Sequence, residues 1–163
     1  MPKLTCHCGA IEAEISPSIN ELAKIVKCNC SICKRKSATM GMVKNEDFKI
    51  TKGEDKLKLY QFHTKVAQHY FCSICKRRGA IMSMVKNEDF KIVKGEDKLK
   101  LYQFHTNVAK HYFCSVCGIY THHNPRVNPA MTGFNLGCID EIDTFNMKDI
   151  PVNDGQNHPL DKK

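Results

Sequence analysis

No run of about 18 apolar residues occurs in the 163-residue sequence, so nothing in it reads as a membrane-spanning helix. The opening Met1-Pro2-Lys3-Leu4-Thr5-Cys6 has no apolar core of the kind a secretory leader needs, which leads us to expect a protein of the reducing cytoplasm. Amphipathic helices of useful length are missing too, which points away from a helix bundle. With 42% hydrophobic and 26% charged residues, the composition is that of a globular domain, and the length suits one domain better than two.

Cysteine, by contrast, is abundant. Ten thiols in a reducing compartment do not read as disulfides, and clustered as these are they read as metal ligands. The densest cluster is Cys28-Asn29-Cys30-Ser31-Ile32-Cys33. The C-x-C step lets alternate residues of an extended strand point one way, and the C-x-x-C step lets a tight turn aim two more sulfurs inward. Together they offer three thiolates to one soft divalent ion, for which zinc is the usual occupant. Three ligands leave the fourth tetrahedral position open, as in catalytic zinc sites. The competing expectation is a closed site, completed by Cys138, a second C-x-x-C or a His.

Cys6-His7-Cys8-Gly9 is a second C-x-C, with Gly9 suited to the tight turn of a metal knuckle. Ile11, Ala13 and Ile15 then alternate with Glu12 and Glu14, the period of a half-buried strand. Further on the chain repeats itself: residues 31–72 and 73–114 align without a gap and agree at 35 of 42 positions. Two copies are fewer than a stacking solenoid needs, so this is a tandem duplication within a fold. Each copy carries β signals. Met40-Gly41-Met42-Val43 is a short apolar run, and Phe48-Lys49-Ile50 and Leu57 to Phe62 alternate. Turn residues separate these runs at the spacing of an all-β domain.

Cys6 and Cys8 need two partners for a closed four-cysteine site. Cys114-Ser115-Val116-Cys117-Gly118 offers one knuckle, and Cys72-Ser73-Ile74-Cys75 the same knuckle one repeat earlier. We prefer Cys114 and Cys117, because only Cys117 is followed by Gly; the earlier pair remains a competitor. The formal charge of +8 would fall to +5 with seven thiolates on two Zn²⁺. The cations are spread out, with only Lys34-Arg35-Lys36 and Lys76-Arg77-Arg78 as tight clusters, and no nucleic-acid motif accompanies them. A nucleic-acid partner is therefore not expected.

Cys6-x-Cys8-Gly9, Cys28-x-Cys30-x-x-Cys33, Cys114-x-x-Cys117-Gly118 and Phe134-Asn135-x-x-Cys138-Ile139-Asp140 together resemble the glutathione-dependent formaldehyde-activating enzyme family, which includes centromere protein V. The resemblance spans about residues 3–145, and a polar tail follows at 146–163. It implies a mainly β, Mss4-like fold of antiparallel sheets held by zinc knuckles, as a single domain containing the two repeat copies. It further implies a structural zinc on Cys6, Cys8, Cys114 and Cys117 and a catalytic zinc on Cys28, Cys30 and Cys33. The implied reaction is carbon–sulfur lyase-type chemistry on glutathione or a related thiol adduct, with a non-catalytic zinc-stabilised binding module as the alternative. Three anionic sulfurs quench the charge on a zinc ion, which favours thiol chemistry over hydrolysis. Lys34, Arg35 and Lys36 would attract the carboxylates of glutathione, and His122 and His123 could reach the zinc region. The extra copy would be looped out, swapped, or added at a sheet edge.

Overall fold

The alternation at residues 11–15 does form a strand, and its two edges decide how the duplicated segment is used. The computed structural model describes residues 2–16, 24–75 and 79–153. The basic run at 76–78 and residues 154–163 of the tail lie outside them, as does the stretch from Asn20, which the sequence allows to form one helical turn up to Lys24, except for Lys24 itself, which begins a strand. Among the described residues the chain is mainly β, antiparallel throughout, with one short helix and no helix long and apolar enough to cross a membrane.

In order, the strands before the first knuckle are β1 (Lys3–Thr5), β2 (Glu12–Ile15), β3 (Lys24–Lys27), β4 (Thr39–Met42), β5 (Phe48–Lys52), β6 (Leu57–Tyr60) and β7 (His69–Cys72). Helix α1 (Ser31–Lys36) stands between β3 and β4. After that knuckle come β8 (Met82–Lys86), β9 (Leu99–Tyr102), β10 (Lys110–Cys114), β11 (Tyr120–Asn124) and β12 (Met131–Asn135). They form a three-stranded sheet β1-β2-β5, two hairpins, β3-β4 and β6-β7, and a five-stranded sheet β8-β12-β11-β10-β9.

Neither copy is looped out. The first pairs with the N-terminal strands and the second with the C-terminal ones. Both keep the same local build: Tyr60, Phe62 and His69 stack at 5.8 and 5.5 Å, and Tyr102, Phe104 and His111 at 5.8 and 5.4 Å.

One stretch breaks the symmetry. Phe48-Lys49-Ile50 pairs with β2, whereas the identical Phe90-Lys91-Ile92 is in no strand. A strand has two edges, and those of β2 are taken by β1 and β5, so the second copy finds no partner there. Phe90 instead packs its ring on His122, centroids 4.8 Å apart.

The glycines report the same asymmetry. Gly53 and Gly95 occupy equivalent turns at φ +75° and +79°. A Cβ on Gly53 would lie 1.9 Å from the Ala10 carbonyl oxygen, whereas one on Gly95 meets nothing within 4 Å. Gly95→Ala should therefore cost about 1 kcal/mol, for the left-handed backbone alone. Gly53→Ala should cost about 3 kcal/mol, because backbone must also shift. Urea titration of both variants checks this, and equal losses would remove the first copy from its place against the Cys6–Ile11 loop.

Two small clusters make much of the core, and both contain sulfur. One packs Ile11, Cys72 and Cys75 with Cys6, Leu57 and Tyr102. The other packs Ile32, Cys33 and Ile119 with Cys28, Met40, Tyr60, Phe62, Cys117 and Cys138.

Candidate metal and active site

The loop from Cys6 to Ile11 closes on itself through Gly9 N–H to the Cys6 carbonyl (3.2 Å), with Gly9 at φ +69°. The Ile11 amide donates to Cys6 Sγ at 3.2 Å, and the Ile74 amide to Cys72 Sγ at 3.4 Å. Cys6 Sγ and Cys8 Sγ lie 3.5 Å apart, and Cys8 Sγ and Cys72 Sγ 3.8 Å. With Cys75 these four sulfurs all fall within 4.8 Å of one another. Zn–S bonds of 2.3 Å at tetrahedral angles put sulfurs about 3.8 Å apart, so the spacing suits such an ion.

This corrects the expected pairing. Cys72 and Cys75, not Cys114 and Cys117, stand with Cys6 and Cys8. Strand pairing is the reason: β5 lies on β2 and Gly53 abuts Ala10, which brings the end of the first copy to the Cys6 loop. Chain length hardly chooses between the knuckles, since loops of 64 and 106 residues from Cys8 differ by under about 0.5 kcal/mol in closure entropy. The glycine after Cys117 was the wrong signal. Gly118 sits at φ +73° with the Phe71 ring 3.0 Å from where its Cβ would be, so it serves packing.

Cys28, Cys30 and Cys33 do converge, within 4.8 Å of one another. Cys28 and Cys30 follow β3 as expected of a C-x-C, but Cys33 lies inside α1 rather than on a turn. No fourth His, Cys, Asp or Glu joins them among the described residues. Cys117 and Cys138 pack in the same cluster without entering the group, and the Cys138 thiol donates to the Tyr120 carbonyl at 3.7 Å.

Acidities in both clusters split. Burial raises Cys33, and the neighbouring Cys30 and Cys28 sulfurs add to it, so that its thiol is pushed up to about 12. Burial would also raise Cys30, but the Cys33 amide and the Cys28 and Cys33 thiols hydrogen-bond to it and lower it on balance. In the same way burial of Cys6 is outweighed by the Ile11 amide and three thiols, which bring it down to about 7. Burial and those shared hydrogen bonds push Cys8 up to about 12. Crowded thiols cannot all ionise without a cation among them, so the donor chemistry of both clusters fits a soft divalent ion. Both could hold a metal.

Helix α1 is pinned to the C-terminal half from one side. The Asn135 amide donates to the Arg35 and Tyr120 carbonyls, both at 2.9 Å, and accepts from the Gly137 amide at 2.9 Å. Arg35 donates to the Ser31 carbonyl (2.8 Å) and pairs with Asp140 (2.6 Å), and Lys34 reaches the Asp140 carbonyl (3.4 Å). Arg35 is thus occupied in holding the helix. Lys36 is not: it makes no ion pair with an acid among the described residues. Burial lowers its pKa against the opposing pull of Cys33, Cys117 and Cys30. Asn135 went unassigned in the sequence, although its place in Phe134-Asn135-x-x-Cys138 was the signal that could have found it.

Of two hollows near α1, the smaller adjoins the trio and the larger borders Cys6 and Cys72 of the four-thiol group. A pocket of about 190 Å³ is walled by Cys28, Cys33, Lys27, Lys34, Phe145 and Met147. A cleft of about 700 Å³ runs along Arg35, Lys36, Tyr70, Phe71, Cys72 and Tyr120, within the size range of small-molecule sites.

His122 and His123 do not reach the sulfurs as expected. His122 is buried, stacked on Tyr112 at 4.6 Å and joined to the Thr121 hydroxyl at 2.9 Å; burial, then the charge of His123, lowers its pKa to about 4. His123 stacks between His111 (5.7 Å) and Tyr120 (5.9 Å). Both belong to the five-stranded sheet.

A sequence model described as glutathione-dependent formaldehyde-activating enzyme matches residues 1–83 and, a second time, residues 77–150. The crystal structure of a Rhodobacter sphaeroides protein is similar over 92% of this chain and 98% of that one, at 29% identity and a TM-score of 0.37.

Proposed function

This chain belongs to the glutathione-dependent formaldehyde-activating enzyme family, and from that premise we propose that it is a zinc-dependent carbon–sulfur lyase-type enzyme acting on glutathione or a related thiol adduct. The observation that carries the reading is the incompleteness of the Cys28–Cys30–Cys33 group, which has three sulfurs and no fourth protein ligand among the described residues. A zinc ion there, when bound, supplies an open position at which an entering thiol loses its proton. In the condensation the thiol sulfur forms a bond to the carbonyl carbon of formaldehyde, the C=O π bond opens, and the oxygen takes up the proton to become a hydroxyl.

The chain's own part is to bind and orient. Cys28, Cys30 and Cys33 are the residues we assign to the reaction centre. Lys34 lines the pocket that reaches Cys28 and Cys33, and Lys36 lines the larger cleft with no ion-pairing acid among the described residues; each offers an ammonium to a glutathione carboxylate. Arg35, bound to Asp140, keeps a positioning role. The Cys6–Cys8–Cys72–Cys75 group, with all four positions filled, suits a structural ion.

Zinc analysis with X-ray absorption at the zinc edge tests this. We expect two zincs per chain, one of which gains a fourth sulfur when one equivalent of glutathione is added. Two zincs indifferent to glutathione would overturn the lyase reading in favour of the zinc-stabilised binding module.

A further inference from the structure

The larger cleft is a product of the duplication. Tyr70, Phe71 and Cys72 of the first copy line it together with Gly118 and Tyr120, which follow the second. Where the two meet, the Phe71 ring lies 3.0 Å from where a Cβ on Gly118 would be. Removing either copy would leave one Phe-Cys-Ser knuckle, and so no first-copy phenylalanine to meet the turn after the second. The walls are of two kinds. Leu4, Ile11 and Leu57 are apolar, and the last two belong to the core cluster of Cys72 and Cys75. Lys3 from β1 and Arg35 and Lys36 from the last turn of α1 are cationic, and no Asp or Glu is among the described residues that line the cleft. Arg35 is held by Asp140. Lys36 is half-buried with no ion-pairing acid among the described residues, and an ammonium partly withdrawn from water is stabilised by an anion beside it. A volume of about 700 Å³ is far more than a carboxylate alone fills, and suits an organic body next to the charge.

We propose that this cleft is a binding site for a small aromatic carboxylate, with the carboxylate on Lys36 and the ring against Leu4, Ile11 and Leu57. Charge sets the orientation. Cys6 and Cys72 border the cleft and cluster with Ile11, and the four thiolates of their group would keep net negative charge even around a divalent ion. An anion is therefore driven toward α1, and the apolar wall is left for the ring. Tyr70 and Tyr120 line the same space and offer ring contacts that favour an aromatic body over an aliphatic one. None of Cys28, Cys30 and Cys33 lines the cleft, so the site lies beyond the reaction centre assigned above and shares only Lys36 with the glutathione reading.

Calorimetric titration of the zinc-loaded protein with 2-naphthoate tests the site. Binding should saturate at one naphthoate per chain, and the neutral 2-naphthamide should bind at least about tenfold more weakly, as should acetate, which has the charge without the ring. Lys36→Gln should weaken naphthoate at least about tenfold, and Leu4→Gln, a change at an exposed position of the apolar wall, should weaken it as well. Lys34→Gln, in the smaller pocket, should leave it unchanged. Unaltered zinc content in each variant shows that the fold is kept. No saturable binding, equal affinity for the acid and the amide, or a Lys36→Gln protein that binds as the parent does would each overturn the proposal. None of these readings depends on glutathione chemistry. Saturating glutathione should compete with naphthoate for Lys36; a naphthoate affinity that ignores glutathione would take Lys36 from the glutathione reading and leave this site standing.

Discussion

Cys72→Ser should cost the protein one of the two proposed zincs and several kcal/mol of stability, whereas Cys114→Ser should cost neither and about 1 kcal/mol or less. The two residues are the same position of the repeat, each followed by a serine and, two residues further, by the second cysteine. Only their surroundings differ. Cys72 is buried in the cluster with Ile11 and Cys75, and its sulfur is 3.8 Å from that of Cys8; Cys114 lies outside that four-sulfur group. Structural zinc in small domains holds about 10–16 kcal/mol of folding free energy at neutral pH, so removing one of four ligands reaches deep into stability. Serine is nearly isosteric, which keeps cavity effects small beside that loss. Metal analysis of the purified variants and their thermal melts give the answer. The reverse pattern, zinc lost with Cys114→Ser alone, would restore the pairing that the family resemblance implies. Retention of two zincs by both variants would mean that either knuckle can serve Cys6 and Cys8.

The choice of knuckle marks where the sequence stops being legible. The β class followed from period-two runs, and the Cys28–Cys30–Cys33 convergence from spacing alone, because both are local properties of a few residues. The choice between two near-identical knuckles is not local. It is made by which copy of Phe-Lys-Ile reaches the one open edge of β2, and β2 accepts the first copy while the second lies unpaired against His122. Identical segments carry identical propensities, so no reading of residues 48–50 and 90–92 could separate them. The histidines show a related limit. His122 and His123 lie close to Cys117 in sequence, but on a strand alternate residues face opposite ways and neighbours across the sheet decide what each meets. There Tyr112 and Phe90 claim the one, and His111 and Tyr120 the other. The cations divided in the same manner: Arg35 is spent on Asp140, and Lys36 is left facing the cleft.

Asn135→Ala should be the most damaging substitution outside the cysteines, at about 3–4 kcal/mol. The side chain is almost fully buried and makes three hydrogen bonds, to the Arg35 carbonyl, the Tyr120 carbonyl and the Gly137 amide. Alanine removes all three partners at once and strands backbone groups where water has little access, each at about 1–3 kcal/mol. The nearby Arg35–Asp140 pair looks stronger by charge, yet the Asp140 side chain is 82% exposed, and such pairs are worth about 0–1 kcal/mol. Arg35→Gln should accordingly be mild and Asn135→Ala severe, although both side chains tie α1 to the residues after β12. The effect should also be selective. Asn135 holds the C-terminal turn of the helix that carries Cys33, and a Cβ on Gly137 would already lie 2.9 Å from the Lys34 carbonyl, so the fit there has no slack. With the helix loosened, the three-thiol group should lose its metal before the four-thiol group does, and activity should fall with it. Urea titration read alongside zinc content separates the cases. A variant that loses less than about 1 kcal/mol and keeps both zincs would show that α1 is held from elsewhere. A variant that loses zinc first from Cys6, Cys8, Cys72 and Cys75 would show that Asn135 supports the sheet rather than the site.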